Sequence, residues 1–162
     1  MKKESVRNLA LSGLLGALIL LMTAYLHIPV GKGYIHVGDA FVYLAAVLLP
    51  APYSILTAAG AGALADLLSG YPLWAPVTFA IKGLSTLFFT AKWKEKPLCT
   101  RNSLAPVPAG ILCVGGYYLY EALLYGDYAT PLLSVPGNLM QSLCSGILFV
   151  LLAVSLKKYF PK

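Results

Sequence analysis

The sequence has very little charge. Of its 162 residues 11% are charged, six acidic and twelve basic, whereas 59% are hydrophobic. Soluble domains carry about 25% charged residues and about 45–50% apolar ones, so this composition cannot cover a water-soluble fold. The shortage of charge excludes an ordinary soluble domain and predicts an integral membrane protein.

Cysteine pairs, histidines and catalytic motifs are also scarce or missing. There are two histidines and three cysteines, and Cys99, Cys113 and Cys144 have no CxxC spacing. Neither a disulfide framework nor a zinc site is therefore indicated. The chain has no GxxxxGKS or GxxxxGKT loop, no HExxH and no GxSxG. We therefore expect a protein that is not an enzyme and that needs no cofactor or metal.

What the sequence does have is six apolar segments. They cover residues 9–27, 39–49, 53–69, 73–91, 104–125 and 131–156. A spanning helix needs about 20 residues, so the second segment is too short to cross alone and must be short, broken or buried by neighbours. The first segment is longer than a signal-peptide core and precedes no A-x-A-like site, which indicates a retained helix. We expect an all-α bundle of six transmembrane helices forming one membrane domain over residues 1–162.

The basic residues indicate the orientation of the bundle. Ten of the twelve fall before the first segment, between the fourth and fifth, or after the sixth: Lys2, Lys3, Arg7, Lys92, Lys94, Lys96, Arg101, Lys157, Lys158 and Lys162. With six spans these three groups lie on one side, which predicts that both termini are cytoplasmic. The net charge of +6 is thus a topology signal and does not indicate a nucleic-acid partner.

Ionisable residues within the apolar segments share one depth. Asp39, Asp66, Lys82 and Glu121 all fall in the half of the bundle away from the basic clusters. Ionisable groups at membrane depth are costly, so each of them is a candidate functional residue.

Helical spacing gives these residues polar neighbours. Three stripes follow one face of the fourth, fifth and sixth helices: Thr78, Lys82 and Thr86; Tyr117, Glu121 and Tyr125; Asn138, Gln141 and Ser145. The loop "IPVGKGYIHVGD", with Tyr34 and His36, can fold over a small polar cavity lined by these stripes.

Structural roles compete with ligand binding at each position. Lys82 could pair with Asp66 or Glu121, and Asp39 could only cap the second helix. Asp66 could belong to close helix packing in "GAGALADLLSG". A loop histidine such as His36 could simply be solvated, and the side chains of Asn138 and Gln141 could only join helices.

The first segment carries a face of small residues. In "LALSGLLGAL" this face is formed by Ala10, Gly13 and Ala17. Small residues let another helix approach closely, either within this chain or from a partner subunit in the same membrane. Interfacial aromatic belts account for aromatic residues near the helix ends: Tyr71, Trp74, Trp93, Tyr125 and Tyr128.

A family resemblance rests on these features together. The quoted motifs are the basic N-terminus, the small-residue face, "GDAFVYLAAVLLP", "GAGALADLLSG" followed by "FAIKGL", and "PGNLMQSLCSG". In order and spacing they resemble the substrate-binding S components of energy-coupling factor (ECF) vitamin transporters of bacteria and archaea. The group they most resemble includes pyridoxine and hydroxymethylpyrimidine carriers.

The resemblance implies a function. S components bind a water-soluble vitamin at an external cavity of the prokaryotic plasma membrane, and deliver it with a scaffold subunit and two cytosolic ATPases. It implies that the gating loop carries Tyr34 and His36, and that the small-residue face docks the scaffold. Together with the polar stripes and the mouth of the second helix, the expected substrate contacts are Tyr34, His36, Asp39, Lys82, Tyr117, Glu121, Asn138 and Gln141. The expected docking residues depart from the family's AxxxA pattern, since Leu14 follows Ala10 at i+4.

Two other functions fit the residues less well. One is a membrane assembly factor without a ligand, in which the polar groups only hold helices together. The other is a small intramembrane enzyme that uses His36 with Asp39 or Asp66, although no second histidine lies nearby.

Overall fold

The computed structural model describes residues 3–30, 33–91 and 97–157. Its elements in chain order are α1 (Lys3–Ala24), β1 (His27–Val30), β2 (Gly33–His36), α2 (Asp39–Leu48), α3 (Ala51–Leu68), α4 (Ala75–Ser85), a 3-10 turn (Thr86–Phe88), α5 (Thr100–Leu104), α6 (Pro106–Tyr125), a second 3-10 turn (Thr130–Leu133) and α7 (Val135–Lys157).

Within the described ranges, four helical stretches are long and apolar enough to cross a membrane. They are Glu4–Ala24, Ala51–Leu68, Thr100–Tyr125 and Thr130–Lys157. Two apolar helices are shorter: Asp39–Leu48 and Ala75–Phe88. The chain is thus a mostly helical, multi-pass membrane protein, as its composition predicts.

Two of the predicted segment boundaries differ from the helix ends by six residues. Helix α1 begins at Lys3, whereas the apolar segment begins at residue 9, because Lys, Glu and Arg are good helix formers and extend the helix beyond the apolar run. Helix α4 ends at Ser85, within the predicted segment. Ser85 Oγ donates to the Ile81 carbonyl and Thr86 Oγ1 to the Gly83 carbonyl, both at 2.7 Å. Such bonds compete with the helix ladder.

The short second segment is buried by its neighbours. In α2 the buried residues are Asp39, Ala40, Val42, Tyr43, Leu44, Ala45, Ala46 and Val47. A helix that is apolar all round belongs in a protein interior. The ring of Tyr43 lies 4.9 Å from that of Phe89 and 5.9 Å from that of Phe149. These contacts tie α2 to α7 and to the end of the first 3-10 turn.

The segment between α1 and α2 is a β-hairpin, where the sequence predicted a loop. Strands β1 and β2 are antiparallel, with His27 opposite His36 and Pro29 opposite Tyr34. The loop prediction relied on the glycines and proline, whereas Ile28, Ile35 and Tyr34 favour a pleated strand. This register places Tyr34 and His36 on one face of the hairpin.

Two glycines allow the close approaches that shape this end of the bundle. A Cβ on Gly62 would lie 2.9 Å from Lys82 Cγ, so glycine lets α3 and α4 come together. A Cβ on Gly38 would overlap the Thr23 hydroxyl, so glycine is required where the hairpin turns into α2.

Lys32 lies outside the described residues. So do six of the basic residues used in the orientation prediction: Lys2, Lys92, Lys94, Lys96, Lys158 and Lys162.

Candidate functional site

A cavity of about 150 Å³ lies at the hairpin end of the bundle. It is enclosed by β2, α3, the chain entering α4, α6, the second 3-10 turn and α7. Its lining residues are Tyr34, Ile35, His36, Asp66, Tyr71, Trp74, Thr78, Tyr117, Glu121, Tyr125, Thr130, Leu133, Ser134, Gly137, Asn138 and Gln141.

Aromatic rings form one wall of the cavity, with Tyr34 at its centre. The Tyr34 ring lies 4.5 Å from that of His27, 5.7 Å from that of His36 and 5.0 Å from that of Tyr71. Tyr71 in turn lies 5.8 Å from Trp74. The sequence assigned Tyr71 and Trp74 to an interfacial belt, but both line the cavity, as does Tyr125 of the predicted polar stripe.

Asp66 places a half-satisfied carboxylate in the cavity. Tyr34 Oη donates to Asp66 Oδ1 at 2.5 Å. Asp66 Oδ2 is buried and has no hydrogen-bond partner within residues 3–30, 33–91 and 97–157. Burial and the neighbouring carboxylate raise the pKa of the Tyr34 phenol, so Tyr34 stays protonated and acts as the donor. One carboxylate oxygen is therefore left for a donor from outside the described residues.

Glu121 is the second carboxylate in the cavity, and both its oxygens accept hydrogen bonds. Trp74 Nε1 donates to Glu121 Oε1 at 3.2 Å, and Ser134 Oγ donates to Oε2 at 2.7 Å. These bonds connect α6 to the chain entering α4 and to the second 3-10 turn. Beside them, the hydroxyls of Thr78 and Tyr117 are hydrogen bonded at 2.8 Å and join α4 to α6.

A second polar cluster lies behind the cavity wall. Lys82 Nζ donates to Asp39 Oδ1 at 2.5 Å, and each side chain is 3% exposed. Gln141 Nε2 donates to Asp39 Oδ2 at 3.0 Å, and the His36 backbone N–H donates to Gln141 Oε1 at 3.3 Å. The cluster thus connects α2, α4, α7 and β2.

This cluster corrects two of the structural alternatives. Lys82 pairs with Asp39, so neither Asp66 nor Glu121 is its partner. Asp39 does not cap α2: the N-cap residue is Gly38, and no side-chain capping bond is formed. Both oxygens of Asp39 are engaged within the bundle, where the pairing holds three helices together.

His36 is a buried and neutral histidine. Burial lowers its pKa to about 3. Its Nδ1 accepts a hydrogen bond from the Gly38 N–H at 3.0 Å, which requires an unprotonated Nδ1. The alternative of a solvated loop histidine is therefore wrong, because the ring is packed between Tyr34 and the turn into α2.

The predicted site residues divide into two sets. Six line the cavity: Tyr34, His36, Tyr117, Glu121, Asn138 and Gln141. Lys82 and Asp39 lie behind the cavity, where Asp39 bonds to both Lys82 and Gln141. Asp66, for which close helix packing was the alternative, was not among the expected substrate contacts, yet it lines the cavity. Within the described residues, no group of three or more His, Cys, Asp or Glu side chains is placed to hold a metal ion.

The small-residue face of α1 points away from the chain. Ala10, Gly13 and Ala17 are exposed. A Cβ on Gly13 would meet no described atom within 4 Å, whereas one on Gly16 would lie 3.5 Å from Thr57 Cγ2. Internal packing against α3 therefore uses Gly16, and the face predicted for docking is left uncovered by the described residues.

Three comparisons with known proteins bear on this arrangement. A family described as ECF-type riboflavin transporter, S component, matches residues 3–158. An uncharacterized protein in gap 3' region of Pyrococcus woesei is 38% identical over 106 residues, covering 65% of this chain and 70% of that protein. The solved S component of a bacterial ECF transporter has the same fold, with a TM-score of 0.73, 19% identity, and coverage of 98% of this chain and 99% of the other.

Proposed function

Because this chain belongs to the family of ECF-type riboflavin transporter S components, we propose that it captures a small water-soluble vitamin or vitamin precursor outside the cell. Members of this family are substrate-binding transport proteins and not enzymes, and they work with ECF scaffold and ATPase modules. In our proposal the cavity is the capture site, and a scaffold subunit with two cytosolic ATPases drives release into the cytoplasm.

The cavity under the hairpin carries this proposal. Ligand sites are concave, largely apolar and aromatic, with a few placed polar groups. The cavity combines an aromatic wall around Tyr34 with the polar side chains of Asp66, Asn138 and Gln141. An assembly factor would need no such space, since buried polar groups that only join helices bond to one another.

The topology supports an external position for the cavity. It lies at the end of the bundle where α1 and α6 finish and α7 begins, opposite the N-terminus of α1 and the C-terminus of α7. Six spans with both termini in the cytoplasm of a prokaryotic cell would place the hairpin outside. In this orientation Tyr34 and His36 form the gate.

The cavity volume favours a one-ring substrate of the pyridoxine or hydroxymethylpyrimidine type. An engineered protein cavity of about 150 Å³ holds benzene, so a cavity of this size accommodates one substituted ring. A flavin has three fused rings and a sugar-alcohol chain, and would require the hairpin to move away from α3 and α7.

Analysis of bound molecules tests the capture role. The protein is purified without dialysis and denatured, and the released small molecules are identified by mass spectrometry. We expect one vitamin-like compound in about stoichiometric amount. If no compound is released, thermal unfolding against a panel of water-soluble vitamins follows, and a panel without a single stabilising compound would contradict the proposal.

We also propose that the exposed face of Ala10, Gly13 and Ala17 docks the scaffold. Leucine at position 13 has room in the isolated chain but would hold another helix away. Gly13→Leu should abolish uptake in cells that supply the scaffold and ATPases, while the purified variant keeps its ligand affinity. Gly115→Leu is the matched control, since its Cβ also meets no described atom within 4 Å, on a helix distant from α1. Equal loss of uptake in both variants would contradict docking at α1.

A further inference from the structure

The charged residues that line the cavity have one sign. Among the described lining residues the charged side chains are those of Asp66 and Glu121, both acidic. Lys82 adds no net charge, because Asp39 neutralises it at 2.5 Å. His36 accepts a hydrogen bond at Nδ1 and is neutral. A ligand in this cavity therefore faces carboxylates without a compensating cation among the described residues.

The bonding of the two carboxylates locates the unfilled position. Glu121 already accepts from Trp74 and Ser134. Asp66 is 5% exposed and accepts only from Tyr34, and Oδ2 has no partner in the described part of the chain. A buried carboxylate oxygen without a donor is costly, so this position calls for an N–H or O–H donor on the ligand.

The aromatic residues favour a flat cation. Tyr34, Tyr71 and Trp74 line the same cavity as Asp66, whereas the Tyr117 ring already faces Lys82 Nζ, 5.6 Å from its centroid. Aromatic faces carry negative quadrupole charge and attract cations as well as stacking on rings. An anionic substrate would meet two carboxylates and the faces of these rings, with no described basic group to receive it.

We propose that the substrate is a single-ring aromatic heterocycle with a positive charge or a protonated amino substituent, whose N–H group donates to Asp66 Oδ2. This inference rests on the proposed capture function and names the chemical class of its substrate. It distinguishes the substrate from a neutral three-ring flavin and from vitamins that carry a carboxylate or phosphate.

Charge-matched probes on one ring test this inference. Pyridoxamine, pyridoxine and 4-pyridoxate share a ring and differ at one substituent, which is cationic, neutral or anionic. 1-Methylnicotinamide, nicotinamide and nicotinate form a second set. The first of these carries a fixed positive charge, the second is neutral and the third is anionic. Affinities of the purified protein for both sets and for riboflavin are measured by calorimetry. We expect an amino-bearing or cationic member to bind at least about tenfold more tightly than its neutral and anionic counterparts.

Asp66→Asn links the selectivity to the carboxylate. Asparagine keeps the size of the side chain and an acceptor for Tyr34. The variant should therefore lose about tenfold or more in affinity for the cation and little for the neutral compound. Glu4→Gln is the control, because Glu4 is exposed in the first turn of α1, at the opposite end of the bundle.

The outcomes separate this inference from the proposed function. If riboflavin or an anion binds most tightly, or if charge makes no difference, the inference is overturned and the capture function stands. If neither these probes nor a full panel of vitamins binds, the capture function itself is overturned. The wild-type selectivity decides the matter even where Asp66→Asn fails to fold.

Discussion

Asp39 and Asp66 are two buried carboxylates at the same end of the bundle, but their hydrogen bonding differs. Asp39 is 2% exposed, and its two oxygens accept from Lys82 and Gln141. Asp66 is 5% exposed and accepts from Tyr34 at Oδ1, whereas its Oδ2 has no hydrogen-bond partner among the described residues. Both oxygens of Asp39 are thus hydrogen bonded within the fold, whereas one oxygen of Asp66 has no described partner and lies at the surface of a cavity. The difference distinguishes a structural carboxylate from the one that we propose contacts the ligand.

The position of the Asp39 cluster explains why its bonds are complete. Asp39 begins α2, Lys82 lies on α4 and Gln141 lies on α7, so one carboxylate joins three helices. Gln141 also receives the His36 backbone N–H and thereby fixes the hairpin over the bundle. The cluster thus fixes the hairpin, whose Tyr34 donates to Asp66.

Lys82→Met tests the structural side of this comparison and has the largest expected effect. It leaves Asp39 as a buried charge without its cation, which typically costs about 3–5 kcal/mol of unfolding free energy. We expect a large fall in the melting temperature of the ligand-free protein in detergent. A variant with unchanged stability and lost ligand affinity would instead place Lys82 among the substrate contacts.

A double variant controls for the loss of the lysine itself. Replacing Lys82 by Met and Asp39 by Leu removes both charges, and apolar replacements of a buried ion pair are often nearly neutral. The double variant should therefore recover much of the stability lost in Lys82→Met. No recovery would mean that the lysine stabilises the bundle by contacts other than its pairing with Asp39.

The pH dependence of stability tests the histidine of the same cluster. The pKa of His36 is lowered to about 3 by burial, below about 6.5 in an unfolded chain. As pH falls below about 6.5 the unfolded chain takes up a proton that the folded protein excludes, so stability falls, by about 2 kcal/mol at pH 5. Thermal unfolding at pH 7 and pH 5 measures this loss. In His36→Asn, which keeps an acceptor for Gly38, the loss should shrink by that amount; an unchanged pH dependence would contradict a neutral, buried His36.

Much of the helical architecture could be predicted from the sequence. Apolar runs locate every helix of ten or more residues in the described ranges, because burial in lipid requires them. Helical spacing also places Tyr117, Glu121 and Gln141 on inward faces. The coarse function follows from the resemblance of the quoted motifs to ECF S components, and the family match confirms it.

The pairing within the site could not be predicted. Spacing tells which residues share a face but not which helices face one another, so the prediction offered Lys82 two acidic partners, Asp66 and Glu121, and did not include Asp39. Asp39 lies on the short helix α2, whose burial depends on all its neighbours. Asp66 was not predicted as a substrate contact for a related reason. Gly62 indicated close helix packing, but it did not indicate that a cavity begins one turn later.

Asp66→Asn is the last and smallest test, and it opposes the first in sign. Replacing a half-satisfied charge by a neutral amide should leave the ligand-free protein unchanged or about 1 kcal/mol more stable, because binding sites often hold groups at the expense of stability. Asp39→Asn, the matched change, leaves Lys82 without its counter-charge and should be strongly destabilising. Thermal unfolding of both variants after removal of bound small molecules compares them directly. Equal destabilisation would mean that Asp66 also supports the fold, and the distinction between the two carboxylates would fail.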